Sequence, residues 1–84
     1  MSMFYVYVLF SSKLRKRYKG STSNIERRLI EHNDGKSRFT KGGIPWSVVY
    51  KEEYATLSEA RKRELFLKSG AGRKFLDKVL KDKL

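Results

Sequence analysis

The chain has 84 residues, of which 39% are hydrophobic and 13% aromatic. That content suffices for one small packed domain over residues 1–84 and excludes a disordered basic tail. Cysteine is absent, which excludes disulfides and thiolate metal sites and favours a reducing, cytoplasmic compartment. Lys and Arg outnumber Asp and Glu by 20 to 9, and the formal charge of +11 suits a polyanionic partner. Nucleic acid is favoured over membrane because the charge is not gathered on one amphipathic helix.

The first predicted unit is a β-hairpin. Residues Phe4 to Phe10 are apolar on both faces and rich in β-branched and aromatic side chains, which favours a central strand. This run is too short to span a membrane. Ser11 to Lys16 is predicted as a turn, and Arg15 to Lys19 as a short second strand that Gly20 ends.

A helix and a third strand are predicted next. Ser23 as N-cap, with Glu26 three residues later, forms a capping box, and the first helix is expected to end near Asn33. The polar residues Lys36 to Pro45 predict a loop. Trp46 to Tyr54 then predicts the third strand.

Two helices complete the predicted order β-β-α-β-α-α. The second helix is expected to begin near Leu57, with Ser58 as a possible cap, and to end at Ser69-Gly70. The last amphipathic helix spans about Gly72 to Lys81, with apolar residues at Phe75, Leu76, Val79, Leu80 and Leu84. The fold class is therefore α/β (α+β), with a small three-stranded antiparallel sheet flanked by helices.

Polar residues occupy the inward face of the first helix. At about 100° per residue, Arg28 and His32 project from the same face as Ile25 and Leu29, while Arg27 points away. An unpartnered buried Arg is unfavourable by several kcal/mol, of the order of a broken buried ion pair. Either these two side chains face a cleft or a bound anion, or the Arg28 and His32 side chains both extend along the helix surface to its edge.

The second helix repeats the pattern with Glu64. Leu57, Ala60, Glu64 and Leu67 share one face, which predicts an inward carboxylate. Lys68 is spaced for an i, i+4 ion pair with it, and such a pair can equally be a solvated feature of the helix surface. The helical pattern alone leaves both interpretations open.

Tyrosines from the hairpin add to this set. Tyr5 and Tyr7 share one face of the first strand, and Tyr18 lies in the second. Each alone is more typical of packing than of catalysis. Together with the Arg, His and Glu above, they provide a proton acceptor, a phosphate clamp and a hard oxygen ligand over a small sheet. Phosphodiester hydrolysis requires those capabilities.

These residues resemble the motifs of the GIY-YIG nuclease superfamily, in particular its stand-alone, single-domain members and the N-terminal nuclease domain of excision-repair incision enzymes. The resemblance covers nearly the whole chain and rests on Tyr5-Val6-Tyr7, Tyr18-Lys19-Gly20, Asn24-Ile25-Glu26-Arg27-Arg28-Leu29, Glu31-His32-Asn33 and Ser58-Glu59-Ala60-Arg61-Lys62-Arg63-Glu64. It implies a nucleic-acid-binding, metal-dependent endonuclease with a role in DNA processing or repair.

The resemblance also implies roles for single residues. Tyr7 and Tyr18 would lie beside the attacking water, Arg28 would contact the scissile phosphate, and His32 would assist proton transfer. Glu64 would hold one Mg²⁺ or Mn²⁺. Because the ordinary pKa of tyrosine is about 10, we expect Arg28 and the metal to lower that of the catalytic tyrosine.

Three departures from the family pattern are visible. Tyr5 replaces the Gly of the first motif, Lys19 replaces the Ile of the second, and no Asn follows Asn33 where many members supply one after the Glu helix. The third departure leaves open an alternative function, a catalytically silent nucleic-acid-binding domain on the same fold. A basic module for an acidic protein or membrane surface is a further alternative.

Basic residues surround the proposed site and are expected to contact phosphates with little sequence preference. They are Lys13, Arg15, Lys16, Arg17, Lys36, Arg38, Lys41, Arg73 and Lys74. Phe39 is placed to stack on an unpaired base, whereas Trp46 is expected to pack at the start of the third strand. The expected partner is DNA, including branched or single-stranded forms, or RNA.

Overall fold

The computed structural model describes residues 3–81, so Leu84 lies outside the described residues. Its sheet is antiparallel, with strand order β2-β1-β3, and the predicted succession of strands and helices is confirmed. The elements are β1 (Phe4–Ser11), β2 (Lys16–Thr22), α1 (Ile25–Asn33), a 3₁₀ turn (Lys41–Gly43), β3 (Trp46–Tyr54), α2 (Leu57–Lys68) and α3 (Gly70–Val79). Within this described part, no helix is both long and apolar enough to cross a bilayer.

Strand β1 lies in the middle of the sheet because both of its faces are apolar. Val6 and Val8 are buried on one face, and Tyr7 and Leu9 on the other. A strand buried on both sides has no solvated face on which polar residues could alternate. The prediction of a central strand is confirmed.

Helices cover both faces of the sheet. On the Val6 side, α2 and α3 contribute Leu67 and Leu76, both fully buried, to the larger apolar cluster. Each such leucine stabilises the fold by roughly 1.5–3 kcal/mol relative to an exposed side chain. On the Tyr7 side, α1 packs Ile25 and Leu29 into a second cluster. The protein is therefore three layers deep, with α1 alone on one side.

The predicted start of α1 is wrong by one residue. Asn24, not Ser23, is the N-cap: its Oδ1 accepts a hydrogen bond from the backbone N–H of Arg27 at 3.0 Å. The reason is that β2 does not end at Gly20 but continues to Thr22, pairing with β1 throughout. The longer strand delays the point at which the chain turns into the helix.

The caps of the later helices also differ from the prediction. Thr56, not Ser58, caps α2, accepting the backbone N–H of Glu59 at 3.2 Å. Ser69 alone separates α2 from α3, which begins at Gly70 rather than Gly72, because its Oγ accepts the N–H of Gly72 and so starts the new helix. A Cβ on Gly72 would clash with the backbone of α2, so the tight corner requires glycine there.

Candidate active site

The hairpin and α1 bring four of the proposed site residues together. Tyr7 Oη lies 3.2 Å from His32 Nε2, and the ring centroids of Tyr18 and His32 are 4.9 Å apart. Arg28 Nη2 lies 3.5 Å from the same His32 nitrogen. Two phenols, an imidazole and a guanidinium thus share the space between α1 and the sheet.

The orientation of α1 agrees with its sequence pattern. His32 is fully buried, so it does not reach the helix edge, whereas the Arg27 side chain is 62% exposed. Arg28 is intermediate: one third of its side chain is exposed, and Nη1 donates to Glu31 Oε1 at 2.6 Å. The Arg28 guanidinium is therefore not an unpaired charge, because the carboxylate of Glu31 pairs with it at the solvent-exposed edge of the helix.

His32 is neutral, and Thr40 is the partner of its Nδ1. The Thr40 hydroxyl is fully buried and lies 2.7 Å from His32 Nδ1. Burial and the nearby Arg28 charge lower the pKa of His32, so the ring is neutral near pH 7. A guanidinium can only donate, so Nε2 accepts and Nδ1–H donates to Thr40. Sequence reasoning missed Thr40; the one available signal was that a buried His requires a second partner.

Burial determines the acidity of Tyr7. It raises the pKa of Tyr7 above its ordinary value of 10.0, and the hydrogen bond from Arg28, which lowers it, does not compensate. Arg28 lowers the pKa of Tyr7 as expected, but burial outweighs it, and the expected lowering by a metal stays a prediction. Tyr7 is a neutral phenol at physiological pH, able to donate its proton to His32 Nε2.

Glu64 approaches from the other side of the sheet. Its Oε1 accepts the Ser21 hydroxyl at 2.7 Å, and its Oε2 pairs with Lys68 Nζ at 2.6 Å. The inward orientation is confirmed, because Ala60 and Leu67 on the same stripe are fully buried and the Glu64 side chain is 19% exposed. The ion pair with Lys68 is also present, but it joins an inward carboxylate to a half-exposed lysine and is not a solvated pair on the helix surface.

Gly20 lies between the Tyr7–His32 group on one side of the sheet and the Ser21–Glu64 pair on the other. It pairs with Tyr7 in the sheet, and a Cβ added to it would lie 2.6 Å from Tyr7 Oη. Tyr7 therefore crosses the edge strand where there is no side chain, and Ser21, the next residue, faces Glu64 on the opposite side. The Glu64 charge is felt at Tyr7, where it contributes to the raised pKa.

The predicted site geometry needs correction accordingly. We expected the five side chains to meet over the small sheet. Four of them do, but the carboxylate lies across the edge strand β2, because α2 packs against the face opposite α1. The candidate site therefore lies on both sides of the edge of β2 at Gly20 and Ser21, which we call the rim.

The predicted basic residues lie in three regions of the chain. Lys13, Arg15 and Lys16 are exposed at the hairpin turn; Lys36, Arg38 and Lys41 are exposed between α1 and β3; Arg73 and Lys74 are exposed on α3. Arg17 is more buried and pairs with Asp77 at 2.7 Å. Phe39 is 86% exposed, while Trp46 is buried, as its packing role predicted.

Comparison with known proteins identifies the family. A family model described as "GIY-YIG catalytic domain" matches residues 3–75, which is most of the chain. The chain belongs to the GIY-YIG family. This is a family of nucleases, so a nucleic-acid substrate in general follows from membership.

Related proteins of similar length align with most of this GIY-YIG chain. It is similar to a UPF0213 protein of Staphylococcus haemolyticus, with 39% identity over 82% of this chain and 84% of the relative. It is also similar to a UPF0213 protein of Syntrophus aciditrophicus, with 44% identity over 81% and 79% of the two chains. The solution NMR structure of a UPF0213 protein from Bacillus halodurans matches with a TM-score of 0.56 and 28% identity, covering 96% of this chain and 85% of that one.

GIY-YIG nucleases generally depend on a divalent metal, and the side chains of the candidate site fit an ion that takes few protein ligands. Among residues 3–81, no three His, Cys, Asp or Glu side chains form a group able to hold a metal. Glu64, mostly buried and hydrogen-bonded to Ser21, provides a single oriented carboxylate. One carboxylate suits Mg²⁺, which keeps several waters and takes further ligands from substrate phosphates.

The buried His32 predicts an acid-sensitive stability. His32 is the only histidine, and its pKa in the folded protein lies below the ordinary 6.5. Its contribution to stability is therefore complete above pH 6.5 and declines as the pH falls below that value, because the unfolded chain binds the proton more readily. We expect the Tm to fall between about pH 7 and about pH 5, measured by circular dichroism. His32→Gln should reduce this slope, and an unchanged slope would assign it to another group.

Proposed function

We propose that this GIY-YIG protein is a divalent-metal-dependent endonuclease that hydrolyses phosphodiester bonds in nucleic acid. The observation that carries the proposal is the contact of Tyr7 and Arg28 with the Nε2 edge of His32, beside the rim that separates them from Glu64. A neutral acceptor, a cation and a carboxylate within one small region are what an in-line attack of water on phosphorus requires.

Tyr7 and His32 form the proton route in this proposal. The attacking water transfers a proton to the Tyr7 oxygen while the phenol proton passes to His32 Nε2, 3.2 Å away. The raised pKa of Tyr7 supports a proton relay rather than a stable phenolate. The lowered pKa of His32 keeps its Nε2 unprotonated, so that this nitrogen can accept the phenol proton. Thr40 is a positioning residue, because its hydroxyl contacts Nδ1 and orients the imidazole so that Nε2 faces Tyr7 and Arg28. Tyr18 orients the imidazole through its edge-on contact.

Arg28 is the proposed phosphate clamp. Its Nη1 is held by Glu31, while Nη2 faces His32 and the phenol of Tyr7. Because the Glu31 carboxylate already restricts the rotamers of the Arg28 side chain, phosphate binding costs less side-chain entropy. It stabilises the negative charge that develops on the phosphate oxygens.

Glu64 is the proposed metal ligand, with Ser21 orienting its carboxylate. A bound Mg²⁺ or Mn²⁺ would polarise the phosphate and stabilise the leaving oxygen. Lys68 holds the carboxylate in the protein as described, so binding of a cation there requires the Lys68 ammonium to move aside. Lys68 is about half exposed and has a flexible stem, so this rearrangement is inexpensive.

The substrate is proposed to be DNA, in branched, single-stranded or duplex form, or RNA, held mainly through its phosphates. A role in DNA processing or repair is supported by the resemblance of the motifs to the nuclease domain of excision-repair enzymes. A catalytically silent binding domain is the second candidate, favoured by the Glu64–Lys68 ion pair and by the absence of Asn after Asn33.

A cleavage panel tests the proposal. Incubation with labelled branched, single-stranded and duplex DNA, and with RNA, should give products with Mg²⁺ or Mn²⁺ and none with EDTA. Binding to the same substrates without cleavage under any metal condition would support the silent domain instead. Retention on anionic liposomes but not on nucleic acid would contradict both.

A further inference from the structure

Four cations converge on a depression away from Tyr7 and His32. Phe10 and the basic side chains of Arg15, Arg17, Lys19 and Arg73 line a cavity of about 300 Å³. Phe10 pairs with Arg17 in the sheet, so both lie on the α2–α3 face of the hairpin, and Arg73 joins them from the first turn of α3. We refer to this set as the basic pocket.

The charges of the basic pocket are only partly compensated. Arg17 pairs with Asp77, whose side chain is itself two-thirds exposed. Burial and the cations of Arg17, Arg73 and Lys68 lower the pKa of Lys19 below its ordinary value. Repulsion of this kind opposes folding, and a bound anion would remove it. The arrangement is one that a phosphate group completes.

The backbone of Arg15 supports a functional reason for its side chain. Its φ is +53°, in the left-handed region where glycine or asparagine is the favoured residue. Arginine at this hairpin position is strained, because its side chain disfavours the left-handed backbone. Its contribution is the charge that it adds to the basic pocket.

Alternation along β2 relates the basic pocket to Glu64. Tyr18 and Gly20 face α1, whereas Lys19 and Ser21 face α2 and α3. Lys19 and Ser21 are two residues apart on one face of the strand, which corresponds to roughly 7 Å. Ser21 holds Glu64. A polymer passing Glu64 along this edge therefore meets the basic pocket next.

From this juxtaposition we propose that the basic pocket binds a phosphodiester flanking the cleaved bond on the same nucleic-acid strand. The proposal rests on the function proposed above and adds to it a direction for the strand, from the rim at Gly20 along β2 toward the hairpin turn. It implies that a substrate without backbone on that side of the cleaved bond binds more weakly.

Opposite charge changes test this binding site without requiring cleavage. The probe is a fluorescent single-stranded oligonucleotide titrated in EDTA. Arg15→Gly and Lys19→Gln should each raise the Kd by roughly threefold or more and reduce the slope of log K against log salt by about 0.7. Arg15→Gly removes backbone strain, so its melting temperature should not fall and unfolding cannot explain its weaker binding. Asp77→Asn, which frees Arg17, should lower the Kd.

Lys78→Gln is the matched control, because it removes one exposed α3 charge outside the basic pocket. Equal losses in Lys78→Gln and Lys19→Gln, or a weaker Asp77→Asn, would overturn the proposal and leave only diffuse attraction. Because these readouts are binding constants, they remain decisive even if the cleavage panel shows no nuclease activity.

Discussion

Arg28→Ala and Glu64→Gln should each reduce metal-dependent cleavage by about a thousandfold, while binding to nucleic acid weakens only modestly. Arg28 is the one guanidinium with a nitrogen directed at His32 and Tyr7, so nothing nearby in residues 3–81 replaces its charge at the phosphate. Glu64 is the carboxylate at the rim, and its amide variant keeps the shape but removes the charge that a divalent ion requires.

Matched controls separate catalysis from total charge and from stability. Arg27→Ala removes the neighbouring, exposed charge on α1, and Glu53→Gln removes an exposed carboxylate on β3. Both should cleave at near wild-type rates. Steady-state cleavage rates, Kd values and melting curves are measured for all four variants. Undiminished cleavage in Arg28→Ala or Glu64→Gln would show that the site is misassigned.

Affinity for nucleic acid should fall by roughly a thousandfold between about 50 and about 200 mM salt, if six or more phosphates are contacted. The chain has 20 basic and 9 acidic residues, and most of the basic side chains proposed to contact phosphate are exposed. Neutralising phosphates releases condensed counterions, and added salt opposes that release. This is a property of the whole surface rather than of any one contact.

Fluorescence anisotropy in EDTA measures this dependence without cleavage. The gradient of log K against log salt gives the number of phosphates neutralised. A constant Kd over the same range would reject the electrostatic basis of binding. The comparison with the Lys19→Gln variant then indicates how much of that gradient arises at the basic pocket.

Local sequence signals predicted the order of elements well. Strand β3 has the predicted bounds, and β1 extends by only one residue beyond its apolar run, because packing on both faces leaves a continuous hydrophobic signature. The caps were less predictable. Ser23 and Asn24 are both competent caps, and the choice between them depends on how far β2 pairs with β1, which is a long-range interaction.

In the candidate site as well, local sequence signals were informative and long-range contacts were not predicted. Helical periodicity put His32 and Glu64 on the inward stripes of their helices but left open whether their side chains were buried, which the structure decides. It gave no indication of Thr40 or Ser21, which contact them across the fold from a loop and from an edge strand. The effect of Arg28 on the pKa of Tyr7 was predicted with the right sign, but the larger opposing effect of burial was not predicted, because the sequence does not show how deeply a tyrosine is buried.

Strand β1 carries residues of the candidate chemistry and of the hydrophobic core on alternate positions. Tyr7 faces His32, while Val6 and Val8 on either side of it face the leucines of α2 and α3. Inserting or deleting one residue ahead of Tyr7 would exchange the two sets, turning the phenol into the core and a valine toward the imidazole. A change in the length of β1 ahead of Tyr7 is therefore expected to disrupt the candidate site and the core together, whereas substitutions within this eight-residue strand leave each set on its own face.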